Sequence, residues 1–314
     1  MRTKIRASRL LGGATVCLSL VLFWELLSLV VTAKGSYDEP LIPGWSYLIS
    51  NSLLRMSDYW GGEFGVPSPS EGGPPTYAAA LLALGSASLI TSQRVLWGIA
   101  FGTLAGISLG LLVATFDPAR RLIAPTVHIV RMTPFLAMIP LFNLWFGANT
   151  FGIILFVAYG VAVIMFIGTV NAVRNVPKVY LDRAATEGAS RAMVFRYVVL
   201  PAIFPEIRAS FLLSFGLSWS LVVGGELLGA QSGLGVIVTY ALQFAYTGRV
   251  MIVAFLFVIY AGLSFALFDT ISRRIIDWHP QVGQRPISGQ LGRRRIDAGL
   301  RRSDTAFGNR SPGI

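Results

Sequence analysis

Residues 180–201 read YLDRAATEGASRAMVFRYVVLP, and this polar segment stands between two long apolar runs. It contains three arginines together with Asp182 and Glu187. Because each charge at the centre of a bilayer costs several kcal/mol, the segment is predicted to lie in water, as a loop between two membrane-spanning helices. The fold is therefore predicted to be that of a membrane protein.

The same loop contains residues suited to a short helix followed by a turn. Ala184 and Ala185 are small enough to let a partner approach closely, and Gly188 is suited to the left-handed conformation that ends a helix. Leu200 and Pro201 are predicted to begin the next span, because proline is tolerated in the first turn of a helix. The pattern thus predicts a compact contact surface outside the membrane.

The whole chain has the composition of a membrane protein. Of its 314 residues, 54% are hydrophobic and only 13% are charged, and the mean hydropathy is +0.64. These values predict an all-α protein that crosses the membrane several times. The single cysteine, Cys17, has no partner for an intrachain disulfide. The net charge of +11 would suggest nucleic acid binding in a soluble protein, but here the placement of the basic residues indicates topology instead.

Apolar runs of sufficient length predict about six transmembrane helices, near residues 10–33, 94–116, 122–146, 151–170, 202–228 and 250–271. A cleaved signal peptide ending at Ala33 is a competing interpretation of the first run. Its apolar stretch is longer than that of a usual signal peptide, so a first transmembrane helix is favoured.

The remaining segments divide the chain into regions. Residues 1–9 and the arginine-rich tail 276–314 are predicted to be cytoplasmic, and the tail to be disordered. Segment 34–90 contains prolines, glycines and acidic residues and is predicted to be extracytoplasmic or interfacial. Its part 77–90 is expected to be either an interfacial helix or a seventh span. Residues 91–275 are predicted to form the transmembrane core.

Small residues and prolines distinguish three of the predicted spans. The second span has glycines at four-residue spacing, which predict a close crossing with another helix: Gly98, Gly102, Gly106 and Gly110. The third is predicted to be kinked and to lie in the bundle interior, because of Pro125, Pro134 and Pro140. The fifth is predicted to line a pathway or to pack tightly, because of Ser210, Ser214 and Ser218.

Two motifs resemble those of a known family. Asp182, Ala184, Gly188 and the exit at 198–201 follow the spacing of the E-A-A-x-x-x-G-x(9)-I-x-L-P loop of bacterial ABC importer permeases. The chain departs from that motif with Asp182 in place of Glu and Arg183 in place of the first Ala. The stretch ELLGAQSGLG at 226–235 is similar to that of the permease subgroup that imports nitrate, taurine, aliphatic sulfonates and related small solutes.

The resemblance implies a type I ABC importer permease core in the bacterial plasma (inner) membrane. It implies three partners: ABC ATP-binding subunits, an extracytoplasmic solute-binding protein and a second permease copy, as a homodimer. It implies no cofactor in this chain, since the partner subunits bind ATP. Coupling to the ATPase is expected from loop 174–201, through Asp182, Ala184, Ala185, Gly188, Ala189, Ser190, Leu200 and Pro201. The candidate residues of the translocation pathway are Arg131, Pro134, Ser214, Ser218 and Glu226.

Basic residues are distributed unequally between the two sides of the six-span arrangement. Arg131 and Arg208 fall within spans and are left out of the count. With both termini inside, twenty Lys and Arg residues fall inside, and the four that fall outside or at its edges are Lys34, Arg55, Arg94 and Arg249. The positive-inside rule therefore places the 180–201 loop and both termini in the cytoplasm and argues against a seventh span. A cysteine at Ser68 is then expected to react with an impermeant reagent outside, and cysteines at Ser190 and Ser303 to be shielded.

Catalytic and metal-binding patterns are absent from the sequence. The two histidines, His128 and His279, are far apart and have no cysteine or carboxylate cluster beside them, and no glycine-rich phosphate loop is present. The protein is therefore predicted not to be an enzyme and to have no metal site. Two function classes stay open: a subunit of an ATP-driven importer, and an ion-coupled secondary transporter or channel in which Glu226 or Arg131 is a coupling charge within the membrane.

Overall fold

The computed structural model describes residues 2–31, 33–35 and 39–275, and this part of the chain contains helices and no β-strand. The predicted all-α class is therefore confirmed. The predicted disordered tail 276–314 and Ser303 lie outside the described residues. In chain order the helices are α1 (Arg2–Val30), α2 (Trp45–Tyr47), α3 (Tyr77–Thr115), α4 (Asp117–Val130), α5 (Phe135–Phe146), α6 (Thr150–Arg174), α7 (Lys178–Thr186), α8 (Arg191–Val194), α9 (Leu200–Leu227), α10 (Leu234–Gln243) and α11 (Thr247–Ile275).

Shorter helical turns complete this arrangement. α2 continues without interruption into a π-helix, Leu48–Leu53, and then a 3₁₀-helix, Leu54–Tyr59. A second 3₁₀ turn covers Pro69–Glu71, and a π-helix at Phe195–Val199 joins α8 to α9. The chain is therefore helical from Arg191 to Leu227.

Four segments are long and apolar enough to cross a membrane: Tyr77–Thr115, Thr150–Arg174, Arg191–Leu227 and Thr247–Ser272. They correspond to the predicted second, fourth, fifth and sixth spans, and the second and fifth begin earlier in the chain than expected. Residues 10–30 of the first predicted span, 10–33, fall within α1, which is 29 residues long. The protein is thus built on long apolar helices, as the composition predicts.

The third predicted span consists of two helices, α4 and α5, rather than one kinked helix. Pro134 has no N–H to donate, and its ring disfavours a helical conformation at the preceding residue. The chain therefore turns at 131–134, where the N–H groups of Met132 and Thr133 donate to carbonyls three residues earlier, at 3.0 and 3.1 Å. The prediction of one kinked helix over 122–146 is wrong for this reason.

The segment 77–90 is neither an interfacial helix nor a seventh span, but the first part of α3. Thr76 caps this helix by accepting a hydrogen bond from the Ala79 N–H at 3.2 Å, and the helix runs for 39 residues. The predicted boundary between residues 90 and 91 therefore falls within one continuous helix. At 1.5 Å per residue, α3 is about 58 Å long, roughly twice the hydrocarbon thickness of a bilayer.

The regularly spaced glycines of α3 contact α6. A Cβ atom added at Gly102 would lie 2.5 Å from the carbonyl oxygen of Ala158, and one added at Gly106 would lie 2.6 Å from that of Ala162. Because these contacts advance by four residues on both helices, α3 and α6 run parallel to each other. The predicted close crossing at the glycine face is confirmed.

The helices α3, α6 and α9 form the core of the described structure. α6 packs against both of the others and is the most buried of the four candidate spans. On the α9 side, Gly160 of α6 lies against Leu221 and Gly168 lies against Ser210. The core is filled by side chains that are at most 1% exposed, among them Ile153, Phe156, Val157, Val161, Met165 and Leu221.

Residues 45–68, here called the cap segment, pack on the first turns of α3 and α11. Met56 is fully buried among α3 and α11 residues, and the ring of Trp45 stacks on Phe255. Asp58 pairs with Arg249 at 2.9 Å, and the Arg249 guanidinium lies 4.3 Å from the ring centroid of Tyr246. Arg249, expected at an outer edge, is instead only 7% exposed. The segment is thus an ordered part of the fold.

The loop at the end of the cap segment is closed by two polar contacts. The indole N–H of Trp60 donates to the Val66 carbonyl at 3.1 Å, and the hydroxyl of Ser68 donates to the Trp60 carbonyl at 2.6 Å. Ser68 is fully buried, so the expectation that a cysteine at this position would be accessible is wrong. Gly61 lies at the exposed surface of the same loop, and a side chain there would meet open space.

Candidate functional site

The predicted coupling loop folds as α7, a tight turn and α8. Gly188 has a φ of +77°, and its N–H donates to the Ala185 carbonyl at 3.0 Å. The N–H of Ala189 donates to the Ala184 carbonyl at 3.1 Å. These two bonds form a Schellman motif, which satisfies the last carbonyls of α7 and requires a left-handed residue at its centre. The predicted left-handed turn at Gly188 is confirmed.

The chain re-enters a helix directly after this turn. Ser190 caps α8 by accepting a hydrogen bond from the Met193 N–H at 3.4 Å. A π-helix follows at Phe195–Val199. We attribute it to Pro201, which has no N–H to donate to the Tyr197 carbonyl four residues earlier. The proline ring also needs the space that the wider turn of a π-helix provides. The expected helix start is confirmed, since α9 begins at Leu200 with the proline in its first turn.

The α7–α8 unit is attached to the core by apolar side chains. Leu181, Val194 and Phe195 pack on a buried cluster at the ends of α6 and α9, formed by Ala172, Val176, Val199 and Ile203. This cluster therefore joins the α7–α8 unit to the ends of two core helices.

The other face of this unit is exposed and partly apolar. Large side chains on it are more than half exposed: Val179, Tyr180, Met193 and Tyr197. Asp182 and Gly188 are exposed as well, and Ala184 is half-buried. These residues together are here called the α7–α8 surface. Apolar residues gathered at an exposed surface mark a site of contact with a protein or a membrane.

A second polar feature lies at the opposite end of α9. Glu226 is 1% exposed, and one of its carboxylate oxygens accepts a hydrogen bond from Nη1 of Arg94 at 2.7 Å. The other accepts from the Gly235 N–H at 2.8 Å, and the Thr91 hydroxyl lies 3.0 Å from both oxygens. Arg94 is itself 1% exposed and also donates to the Ser232 carbonyl at 2.6 Å. These five residues are here called the Arg94–Glu226 cluster.

The glycines of the ELLGAQSGLG stretch allow the chain to pass over this ion pair. Gly233 has a φ of +102°, and a Cβ there would lie 2.5 Å from a Glu226 carboxylate oxygen and 2.8 Å from Nη1 of Arg94. A Cβ at Gly235 would collide with the Glu226 side chain. Both positions therefore exclude any larger residue. In the described part of the chain, no group of three or more His, Cys, Asp or Glu side chains is arranged to hold a metal ion.

The five candidate pathway residues lie in three separate places. Arg131 and Pro134 lie in the turn between α4 and α5, where Arg131 is exposed. Ser214 and Ser218 are fully buried in α9, and their hydroxyls donate to carbonyls of their own helix at 2.9 and 2.7 Å. Glu226 belongs to the Arg94–Glu226 cluster. Whether any of these residues contacts a solute stays a prediction.

Three side chains of the Arg94–Glu226 cluster were not predicted from the sequence. Arg94 was expected at the outer edge of a span, but it lies within α3 and pairs with a residue 132 positions later. Thr91 and Ser232 were not predicted to contribute at all. One signal for Arg94 exists in the sequence, because it is the only charged residue in the 39 residues of α3. A single charge in such an apolar helix marks a functional or paired residue.

Comparison with known proteins identifies the family. Residues 102–278 match the family described as "Binding-protein-dependent transport system inner membrane component". The chain is 30% identical over 189 residues to the taurine transport system permease protein of Escherichia coli strain K12, covering 60% of this chain and 69% of that protein. It is 29% identical, also over 189 residues, to a putative aliphatic sulfonates transport permease protein of Bacillus subtilis strain 168, covering 60% and 68%.

The fold is also similar to that of a solved structure. The methionine ABC transporter MetNI in an inward-facing conformation is similar, with a TM-score of 0.50 and 22% identity over 62% of this chain and 94% of that chain. This likeness concerns the arrangement of the helices. With the family match over more than half of the residues, it leads to one assignment: the chain belongs to the binding-protein-dependent transport system inner membrane components, and is a multi-pass membrane permease subunit of a type I ABC importer rather than an enzyme.

Proposed function

We propose that this permease imports a small solute carrying an oxyanion group, such as a sulfonate or nitrate, and that ATP hydrolysis in separate partner subunits drives the import. The sulfonate class comes from the taurine and aliphatic sulfonate relatives. Nitrate comes from the resemblance of the ELLGAQSGLG stretch. The chain binds no cofactor of its own in this proposal, since the partner subunits bind ATP.

The observation that carries the proposal is the construction of the α7–α8 unit. Its exposed face is partly apolar, and the Gly188 turn beside that face is closed by two backbone hydrogen bonds. Its opposite face packs on the ends of α6 and α9. A partner ATPase that binds the α7–α8 surface can therefore move two core helices when its own subunits close. ATP-driven alternating access needs a mechanical connection of this kind.

The proposal includes two further partners and an orientation. An extracytoplasmic binding protein delivers the solute, and a second copy of this chain completes the permease as a homodimer. The N-terminus, the α7–α8 unit and the C-terminal tail lie in the cytoplasm. The charge distribution supports this orientation. Arg94 and Arg249 are two of the four basic residues assigned outside, but both are buried in helices and paired with acids, so they are not free loop charges on that side. The difference in basic loop residues between the two sides is therefore larger than the sequence alone indicates.

The test replaces Gly188 in the assembled complex. Gly188→Val places a β-branched residue at a φ of +77°, which costs on the order of 1–2 kcal/mol and distorts the α7–α8 surface. A Cβ at this position would meet open space within the chain, so the membrane helices remain able to assemble. We expect near-normal membrane levels, lost uptake, and an ATPase subunit that no longer co-purifies.

Gly188→Asn is the matched control, because asparagine tolerates the left-handed conformation. If Asn retains coupling and Val does not, the backbone turn is what the partner requires. If Val also retains full uptake, the α7–α8 surface is not the coupling site. Uptake that resists vanadate, with no ATP-binding subunit attached to the native protein, would instead favour the ion-coupled class and reject ATP-driven import.

A further inference from the structure

A cavity of about 430 Å³ adjoins the Arg94–Glu226 cluster. It lies where α3, the first turn of α6 and the loop between α9 and α10 meet, and this end of α6 is extracytoplasmic in the proposed orientation. The residues that line it are Arg94, Ala148, Asn149, Thr150, Gln231 and Ser232. Its volume is within the range of small-ligand sites, about 300–1,000 Å³.

The guanidinium of Arg94 forms the charged wall of this cavity. Its Nη2 donates to the hydroxyl oxygens of Thr150 at 3.0 Å and Ser232 at 2.7 Å. Each hydroxyl accepts from the arginine, so its own hydrogen is left to donate to a ligand. Nε of Arg94 is buried and has no hydrogen-bond acceptor among the residues that the structure describes. Nη1 donates to Glu226 and to the Ser232 carbonyl, so the donors that this wall can offer to a ligand are the two hydroxyl hydrogens.

The start of α6 adds further donors. Asn149 caps this helix by accepting from the Gly152 N–H at 3.0 Å, and Thr150 is its first residue. The N–H groups of a first helical turn lack acceptors within the helix and together carry about half a positive charge. A 25-residue helix that begins beside a buried arginine is therefore suited to an anion.

The acidic partner of Arg94 does not face this cavity. Glu226 is not a lining residue, and its oxygens accept from Thr91, Arg94 and the Gly235 N–H. The loop backbone at Gly233 covers it. Glu226 compensates the positive charge of Arg94, so the site as a whole carries no large net charge. An anion that enters the cavity is therefore bound by hydrogen-bond donors rather than by an uncompensated positive charge. A site without a large net charge suits a solute that must leave again, as transport requires.

We propose that this cavity is a transient acceptor site for the oxyanion group of the solute as it passes from the binding protein into the permease. The proposal rests on the proposed function and adds the place and chemistry of the first contact. Two hydroxyl donors oriented by a buried guanidinium, next to a helix N-terminus, suit the oxygens of a nitrate ion or a sulfonate group. The two solute types share this chemistry, and competition between them distinguishes which is preferred.

The test measures protection of a cysteine in the cavity of the assembled complex. Gln231→Cys, made in a Cys17→Ala background, places a thiol on the cavity wall, and a cationic thiol reagent is applied from outside. We expect nitrate or methanesulfonate to slow the labelling several-fold, and chloride at equal concentration to have no effect. Adding Thr150→Val removes one donor and is expected to raise the protecting concentration about tenfold, the effect of one lost hydrogen bond to a charged group.

Thr270→Val is the matched control, because Thr270 is exposed on α11 and its hydroxyl donates to the carbonyl of Ala266 in its own helix. Protection that survives Thr270→Val but weakens with Thr150→Val supports the site. Labelling that no oxyanion slows, in a complex with vanadate-sensitive uptake, rejects the site and leaves the proposed function intact. Equal protection by chloride also rejects it, because the effect is then one of general anion screening. Vanadate-insensitive uptake rejects the proposed function independently of the labelling result.

Discussion

Replacing Gly106 in the middle of α3 tests the packing on which the whole core depends. An added Cβ would lie 2.6 Å from the Ala162 carbonyl oxygen and 2.6 Å from Cβ of Met165. Carbon atoms pack at about 3.5–4.0 Å, so α3 and α6 must separate by roughly 1 Å at this point. Overpacking of this kind costs about 1–3 kcal/mol for a single added group. Gly106→Leu adds three more carbons at the same place and is expected to reduce the assembled protein in the membrane strongly.

The effect of helix propensity on its own must be separated from the effect of packing. Alanine stabilises a helix interior by about 1 kcal/mol relative to glycine, and this gain opposes the clash. Gly85 provides the matched comparison, because it lies in the same helix and a Cβ there would meet nothing within 4 Å. The difference between Gly106→Ala and Gly85→Ala cancels the propensity gain and leaves the packing cost of about 1–3 kcal/mol.

The measurement is the apparent melting temperature of each purified variant, followed by size-exclusion chromatography after heating, together with its level in the membrane. We expect Gly85→Ala to melt at or above the wild-type temperature, Gly106→Ala below it, and Gly106→Leu to be recovered poorly or not at all. Equal melting temperatures for the two alanine variants would refute the close α3–α6 contact. Normal levels and normal uptake for Gly106→Leu would show that the glycine face does not contact another helix.

Two further predictions concern charge and topology. Glu226→Gln leaves Arg94 buried without its counter-charge and is expected to destabilise the fold by about 3–5 kcal/mol. Asp117→Asn breaks an exposed pair with Arg120 and is expected to cost only about 0–1 kcal/mol. Comparable melting temperatures for the two variants would contradict the burial of the Arg94–Glu226 pair. Gly61→Cys is expected to react with an impermeant thiol reagent in intact cells, and Ser190→Cys is expected to be shielded from it. Ser68→Cys is expected to react slowly, because that position is buried. Labelling of Ser190→Cys from outside would reverse the proposed orientation.

Local features were predicted well from the sequence. The turn at Gly188 depends on one residue with a special backbone conformation, and the glycine face of α3 depends on a four-residue spacing that a helix converts directly into a surface. The start of α9 at Leu200 follows in the same way from the constraint that proline places on a helix. In each case the cause and the effect lie within a few residues of each other.

Features that depend on distant residues were not predicted. Gly85, Ser86 and Ser88 interrupt the apolar pattern of α3, and this suggested a separate segment at 77–90. The small residues nearby instead allow the cap segment to pack closely, so that Ala80, Leu84 and Ala87 are buried. Arg94 and Glu226 are 132 positions apart, and no local pattern relates one to the other. The same holds for the contact between Asp58 and Arg249.

The unbroken length of α3 has a mechanical consequence for transport. A helix of about 58 Å is rigid over its whole length, so a tilt of roughly 10° about its inner end displaces its outer end by about 10 Å. The glycine contacts fix the inner half of this rod to α6, and the cap segment is attached to its outer half. A small rotation among the core helices is therefore amplified into a large displacement at the far end of α3, which is the solute-facing end in the proposed orientation.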